Sequence, residues 1–481
     1  MTTGEETHAS KTENDVSRER KVLIETWGCQ MNVVDSEQML SLLKTERFTA
    51  TDRPDDADLI LLNTCNIREK AKHKLLSRLG ELRLFKIRKP SLKIAVAGCI
   101  SQMEGARLIE EEPLIDIILG PGKKRELPGL WRDSLSSGKR QVATGFSEPP
   151  ADREQESHTD KELSVPDTLS GRSEVSRFVT IIEGCQNYCT YCVVPYARGK
   201  EISRPKNEIL REIREHVRNG VTEITLLGQN VNSYGIDLIG THEPSDKDVS
   251  LFADLLRDIL PIEGLRSLRF TTSNPHNFTK DIAELFRSDR KLGRHIHLPL
   301  QSGDNEILAR MNRRVTVEEY LKKTGWLREI DREFAISTDL IVGFPGESQE
   351  QFYNTMSVVE KVRYSFIYGF MYSPRPGTAA AGFRDQVPQS IKKKRLAELL
   401  ALQDEITLSQ NLQEIGRTRR VHCLYKNRKE DNSYYGRTEH FRLVKLFSKE
   451  DIIGKDLKVE ITAGNKTALL GTHDVTFRYS D

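Results

Sequence analysis

Apolar positions along the chain come in short runs separated by stretches of helical spacing, and the same order recurs. Val22 to Ile24 reads as a strand ending at Thr26–Gly28–Cys29, after which Asp35–Ser36 is expected to cap a helix running to about Lys44. Asp58 to Asn63 (DLILLN) reads as a second strand, followed by Cys65 and a helix from near Asn66. Lys93 to Ala97 is a third, followed by Gly98–Cys99 and another helix. Strands alternating with helices build βαβ units on a parallel sheet, so an α/β fold is expected. A second such series starts at Phe178, with strands expected near 178–182, 223–227, 266–271, 295–300, 336–342 and 365–371. Six strand–helix units make a partial (β/α)6 barrel, short of the closed eight. Helical spacing then covers 389–415 and places Ile391, Leu396, Leu399, Leu400, Ile406 and Leu412 on one side. Beyond Arg417, short alternating segments such as VHCLY and FRLVKLF, with Gly436, Gly454 and Gly464 at turns, read as a small β-barrel.

Two polar stretches interrupt this order. Residues 1–20 hold five acids, three bases and no apolar run, which excludes a secretory signal and argues for a disordered tail. Residues 147–172 hold seven acids, three bases and three prolines, a composition suited to a linker or insertion. The expected division is therefore a tail (1–20), an N-terminal α/β domain (21–146), an acidic linker (147–171), a central barrel with a trailing helix (172–415) and a C-terminal barrel (416–481). No stretch approaches the roughly 18 apolar residues that a membrane helix needs. The 481 residues include only seven cysteines, unevenly spaced, which fits a reducing cytoplasm better than a disulfide framework. The net charge of +2 hides an asymmetry: residues 416–481 carry 14 Lys/Arg against 9 Asp/Glu. A basic module on a near-neutral body fits a polyanionic partner. There, Arg417, Arg419, Arg420, Lys426, Arg428, Lys429, Arg437, Arg442 and Lys445 surround Tyr425, Tyr434, Tyr435 and Phe441. Cations that hold phosphates and rings that stack on bases make this a candidate RNA-binding surface.

The cysteines form two groups of three. Cys185, Cys189 and Cys192 make a C-x3-C-x2-C motif, suited to an iron–sulfur cluster; a zinc knuckle completed by a distant ligand is the alternative. Cys29, Cys65 and Cys99 are 36 and 34 residues apart, yet each follows the carboxyl end of an expected strand and precedes a helix. Strand ends of an open α/β sheet line one crevice, and helix N-termini favour thiolate, so these three are expected to converge. Three ordinary buried cysteines are the alternative. Cys423, with no neighbour of its kind, reads as a buried thiol. Gln229–Asn230 and Ser302 follow strands at the same barrel end, Asp339 is expected to end a strand, and Gly343–Glu347 forms a turn. With Arg314 as a forked cation, these are candidate cofactor contacts. His295 and His297 are expected to face opposite sides of one strand as satisfied core or layer residues.

The motif around Cys185, with Tyr191 before its last cysteine and a βα series behind it, resembles the radical S-adenosylmethionine superfamily. ETWGCQMN (25–32), LLNTCNIREKA (61–71) and AGCISQMEG (97–105) resemble the N-terminal domain of methylthiotransferases. CVVPYARG, LLGQNVNSYG, LPLQSG, MNRR, STDLIVGFPGES and YSPRPGTAA continue the match in order. The finer likeness, carried mostly by 226–235, is to MiaB-type enzymes, and the basic tail resembles the RNA-binding TRAM domain. Ala197, where threonine is usual, is a small departure.

The resemblance implies a [4Fe-4S] cluster on Cys185, Cys189 and Cys192 that binds S-adenosylmethionine, with Tyr191 near the adenine. It implies a second, auxiliary [4Fe-4S] cluster on Cys29, Cys65 and Cys99. The activity implied is methylthiolation of carbon 2 of N6-isopentenyladenosine at position 37 of tRNA. One S-adenosylmethionine gives the methyl group and another the radical. Implied partners are the tRNA anticodon stem-loop, an electron donor such as flavodoxin or ferredoxin, and a sulfur source, for a monomer without a membrane. Rival substrates are threonylcarbamoyladenosine in tRNA and a ribosomal-protein aspartate; a non-catalytic iron–sulfur RNA sensor is the rival class.

Overall fold

The computed structural model describes residues 19–65, 69–146, 175–238 and 250–473. The tail expected over 1–20, apart from its last two residues, the linker expected over 147–171 and the helix start expected at Asn66 lie outside the described residues. The described chain divides into two compact units. One comprises 19–146 with Tyr196–Gly199, the other 175–195 with 200–473.

The first unit is a six-stranded, all-parallel sheet. Its strands are β1 (Arg20–Trp27), β2 (Phe48–Ala50), β3 (Leu59–Thr64), β4 (Lys93–Ala97), β5 (Ile117–Leu119) and β6 (Gln141–Ala143), in the order β2-β1-β3-β4-β5-β6. Every residue of β3 is buried, as a strand covered on both faces requires. Leu59 and Leu61 pack toward Met39, Leu40 and Trp131 on one face, while Ile60 and Leu62 pack toward Leu75, Leu79 and Leu108 on the other. Each such leucine contributes roughly 1.5–3 kcal/mol by leaving water. The first helix, Gln30–Lys44, starts five residues before Asp35. Asp35 and Ser36 do not cap it because both serve tertiary partners: Asp35 meets Lys124 and Arg198, and Ser36 meets Thr26 and Asn63. Cys29 holds the N-cap position, its carbonyl accepting from Asn32 N at 3.0 Å.

The second unit contains two three-stranded parallel sheets and a closed barrel. The central strands are β7 (Ser176–Thr180), β8 (Ile182–Glu183), β9 (Ile202–Ser203), β10 (Glu223–Leu227), β11 (Ser267–Phe270), β12 (His295–His297), β13 (Ala335–Val342) and β14 (Phe366–Met371). The two sheets run β11-β10-β7 and β12-β13-β14, and one continuous core backs both. β8 and β9 form a separate antiparallel ribbon. His295 and His297 lie on the same face, both bonded to Ser337 Oγ at 3.0 Å, because residues two apart in a strand point the same way. Asp339 sits within β13 and does not end it.

The long helix spans Gln389–Leu412, and its inward face differs from the apolar pattern. Ile391, Leu400 and Leu412 are exposed, whereas Lys392, Arg395, Gln403 and Asn411 are buried beside Leu399 and Ile406. Each of these side chains makes at least one hydrogen bond: Lys392 donates to Tyr372 O, Arg395 to Glu347, Gln403 to Tyr364 O and Asn411 to Asn465 O. Such a face is invisible to a hydrophobic count.

The C-terminal barrel closes in the order β15-β16-β17-β19-β18, from β15 (Thr418–Lys426), β16 (Ser433–Thr438), β17 (Leu443–Phe447), β18 (Asp456–Gly464) and β19 (Leu469–His473). Gly436 lies inside β16, not at a turn. A side chain there would come within 2.5 Å of Val421 Cγ1 and 2.6 Å of His422 O. The strand expected over FRLVKLF begins only at Leu443, because Phe441 turns out of the barrel with φ +65°. Its ring stacks on His295 at 4.3 Å and lies under the guanidiniums of Arg437 and Arg269. The barrel is therefore packed onto the central strands within one unit.

Candidate functional site

In the first unit the strand order reverses between β1 and β3, and ligands of open α/β sheets sit beyond such a switch point. Cys29 follows β1, Cys65 follows β3 and Cys99 follows β4. The three sulfurs meet there, with Cys65 hydrogen-bonded to both of the others. That bond, reinforced by the Arg198 guanidinium against the opposing effect of burial, lowers Cys29 to about 6 and Cys99 to about 7, while Cys65 is raised. Cys99 opens its helix after Gly98, whose φ is +96° and whose added Cβ would lie 2.4 Å from Thr64 O and 2.6 Å from Asn63 Oδ1. A fully buried amide pair braces the site. Asn32 accepts from Cys29 Sγ at 3.2 Å and donates to Asn63 at 3.1 Å, and Asn63 donates back to Asn32 O at 2.7 Å. Arg198 comes from Tyr196–Gly199, just past Cys192 in sequence, and its 2.7 Å bond to Asp35 lies within the first unit.

In the second unit, Cys185, Cys189 and Cys192 lie on the loop after β8, all partly exposed. Each sulfur has a donor: Asn187 Nδ2 at 3.3 Å for Cys185, Arg313 Nη1 at 3.7 Å for Cys189 and Val194 N at 3.5 Å for Cys192. Burial pushes Cys185 up to about 11 and Cys192 to about 12 as free thiols. The loop is held from below: Asn312 Nδ2 donates to the carbonyls of Asn187 and Tyr188, both at 3.1 Å, and Thr190 N donates to Met311 O. Tyr188, Asn312, Thr272 and Gln301 all adopt positive φ near this loop or just beyond β11 and β12, strain of the kind that collects at functional sites. Tyr191 packs against the cluster of Met311, Phe344 and Tyr372. Among the described residues no group of three or more His, Cys, Asp or Glu is placed to hold a metal ion.

The remaining candidates are placed unevenly. Gln229 Oε1 accepts from Gly184 N at 2.6 Å, beside Cys185, and the buried Asn230 bonds to Asn274 and Asn277. Ser302 is fully buried and accepts from Asp304 N. Asp339 faces His297 at 3.4 Å. The Glu347 carboxylate is committed to Gly343 N at 2.6 Å and Arg395 at 2.7 Å, although burial raises its pKa. Arg314 is exposed; its neighbour Arg313 is the cation that reaches the cysteine loop.

The basic residues of the tail divide in two. Arg417 and Arg419 pair with Glu333 and Glu414, Arg442 with Asn411 and Gln410, and Arg437 covers Phe441, so these four dock the barrel. Arg420 pairs with Asp456 and Lys445 with Glu430. Lys426, Arg428 and Lys429 are exposed at the β15–β16 hairpin, next to the Tyr425–Tyr435 ring pair at 5.5 Å. The charge asymmetry of the sequence is thus partly internal.

Residues 21–120 match the model of the uncharacterized protein family UPF0004, and residues 179–359 that of the radical SAM superfamily. The tRNA-2-methylthio-N(6)-dimethylallyladenosine synthase of Syntrophotalea carbinolica is 40% identical over 448 residues, which cover 93% of this chain and 98% of that protein. The enzyme of the same name from Geobacter sulfurreducens is 41% identical over 456 residues, covering 95% and 98%. The chain belongs to that family. A solved radical S-adenosylmethionine methyltransferase of Kitasatospora setae, TsrM, with cobalamin and a [4Fe-4S] cluster bound, superposes with a TM-score of 0.56 at 16% identity, over 76% of this chain and 77% of that one. That likeness is one of fold.

Arg313, Asn312, Asn32, Asn63 and Arg198 surround the cysteines without having been singled out from sequence, although each lies in a motif quoted above: MNRR, ETWGCQMN, LLNTCNIREKA or CVVPYARG. Among the described residues no helix is long and apolar enough to cross a membrane.

Proposed function

We propose that this chain methylthiolates carbon 2 of N6-isopentenyladenosine at position 37 of tRNA. Cys185, Cys189 and Cys192 would hold one [4Fe-4S] cluster and Cys29, Cys65 and Cys99 a second. The observation that carries the reading is the pair of cysteine trios, one at the carboxyl ends of three parallel strands and the other on the single loop after β8. When bound, the clusters and two molecules of S-adenosylmethionine supply the radical, the methyl group and the sulfur, because an unactivated ring carbon is beyond side-chain acids and bases. The residues present fit those groups. Hydrogen bonds to cluster sulfurs tune iron–sulfur centres, and Asn187, Arg313 and Val194 supply one to each thiolate of the central trio. Arg198 offsets negative charge at the other trio, while Gly28 and Gly98 leave room where a Cβ would strike Asn32 and Asn63.

Tyr191 would lie by the cofactor adenine, with Gln229, Asn230 and Ser302 orienting cofactor or substrate. Lys426, Arg428 and Lys429 would hold tRNA phosphates. A flavodoxin- or ferredoxin-like donor would supply electrons and a separate protein or small molecule the sulfur, for a cytoplasmic monomer. Nucleoside mass spectrometry of tRNA from cells lacking the gene tests the whole reading. The 2-methylthio group should vanish while the isopentenyl group stays; persistence of 2-methylthio-isopentenyladenosine would refute it.

Replacing Lys426, Arg428 and Lys429 together by alanine is expected to reduce the slope of log K against log salt for tRNA by up to about three. The melting temperature should be unchanged, since none of the three docks the barrel. An unaltered slope would move the RNA surface elsewhere.

A further inference from the structure

In β16, Tyr435 and Arg437 stand two residues apart and so share the outward face of the C-terminal barrel, while Tyr434 and Gly436 turn into it. Tyr435 pairs with Tyr425 of β15, their ring centroids 5.5 Å apart. The Arg437 guanidinium lies 3.9 Å from the Phe441 ring centroid, and that of Arg269 in β11 lies 4.7 Å from the same centroid. Two cations thus crowd one ring. Arg269 Nε donates to Glu223 at 3.1 Å, a carboxylate that also accepts from Ser176 and Ser267, and Arg269 Nη1 is buried with no acceptor. Among the described residues Arg437 has a single acceptor, Phe441 O at 3.5 Å, and no carboxylate partner. The other half-buried arginines of the described barrel, Arg419 and Arg442, both reach Glu414. Two half-buried guanidiniums sharing one carboxylate leave a positive charge and unfilled donors, a costly arrangement unless an anion joins it. The place is open to solvent: its neighbours Tyr425 and Tyr368 are 36% and 54% exposed.

We propose that Arg437, backed by the charge of Arg269, seats one backbone phosphate of the bound RNA where the barrel meets the central strands; this rests on the function proposed above. A guanidinium presents its N–H groups around the rim of a plane, so Arg437 covers Phe441 with its face and keeps donors for a forked contact to phosphate oxygens. The Tyr425–Tyr435 pair on the same face favours a nucleic acid over a free anion, because rings beside a phosphate seat are platforms for bases. Arg437 is thereby a binding residue as well as a docking one, and it stands apart from the three exposed cations of the β15–β16 hairpin.

The test measures equilibrium binding of an anticodon stem-loop RNA to the full chain, with each loop phosphate replaced in turn by an uncharged methylphosphonate. At one linkage the replacement should weaken binding to wild type about tenfold, as loss of a charge-assisted hydrogen bond implies. Arg437→Met should bind the unmodified RNA about tenfold more weakly, lower the slope of log K against log salt by about one, and be indifferent to the replacement at that linkage. Arg437→Lys keeps the charge and should keep the slope. Wild-type affinity and slope in R437M, or losses that add at every linkage, would overturn the assignment. So would an R437K variant that regains the melting temperature but not the slope, which would leave Arg437 a docking residue only. Inorganic phosphate that raises the melting temperature of wild type and not of R437M, with RNA affinity equal in the two, would make this a seat for free anions and overturn it likewise. Failure of wild type to bind the RNA would overturn the proposed function and this inference together, whereas RNA held through Arg437 but never methylthiolated would refute that function alone.

Discussion

A variant with alanine at Cys29, Cys65 and Cys99 is expected to cleave S-adenosylmethionine reductively to 5′-deoxyadenosine and yet form no carbon–sulfur bond. Alanine at Cys185, Cys189 and Cys192 should abolish both. The first trio belongs to the six-stranded unit and the second to the unit of the central strands, so either can be removed without unpicking the other's core. Loss of product should be complete in each case, because side-chain acids, bases and nucleophiles cannot replace a sulfur-bearing or radical-generating centre. Metal binding is linked to folding, and the sulfurs of the first trio also hydrogen-bond one another, so folding is controlled by circular dichroism. Iron content should fall to about four per chain in each variant. Methylthioadenosine made by a folded N-terminal triple variant with one cluster would defeat the auxiliary-cluster assignment.

Arg395→Met should destabilise the second unit by about 3–5 kcal/mol, read from the denaturant midpoint. Arg395 and Glu347 bond at 2.7 Å with side chains 6% and 1% exposed, so the change strands a buried carboxylate whose remaining donor is Gly343 N. Adding Glu347→Gln to that variant should recover much of the loss, since a neutral amide tolerates the same burial far better. The pair ties the long C-terminal helix to the turn after β13. If R395M kept wild-type stability but lost S-adenosylmethionine affinity, Glu347 would be serving the cofactor and not the scaffold.

The strands that sequence made legible are those that carry apolar runs: LILL in β3, IAVA in β4 and LIV at the end of β13. β2, β5 and β6 have three residues each, too few to show a period. The start of the first helix was misplaced because Asp35 and Ser36 are good caps in isolation, and only the folded chain reveals that Lys124, Arg198, Thr26 and Asn63 claim them. The cysteine trio of the first unit was legible through topology, each residue following a strand. The amide pair Asn32–Asn63 was not, since it depends on which strands become neighbours. Charge counting misjudged the tail for a related reason. Arg417, Arg419 and Arg442 look available along the chain, but their partners Glu333, Glu414 and Asn411 lie outside the tail or at its edge.

The stacking of Phe441 on His295 gives the C-terminal barrel no slack. A module on a flexible tether samples many distances from its site, and its grip acts through an effective concentration. Here the hairpin that carries Lys426, Arg428 and Lys429 is continuous with β16, which leads through Arg437 to Phe441 and so onto the first residue of β12. The span from that hairpin to the strand ends is set by the fold. A nucleic acid gripped there can present a base to the site only if its own geometry matches that span. On the proposed function the barrel would be a ruler as well as a handle, and lengthening the Thr438–Arg442 turn would change which base arrives before it changed how tightly the strand is held.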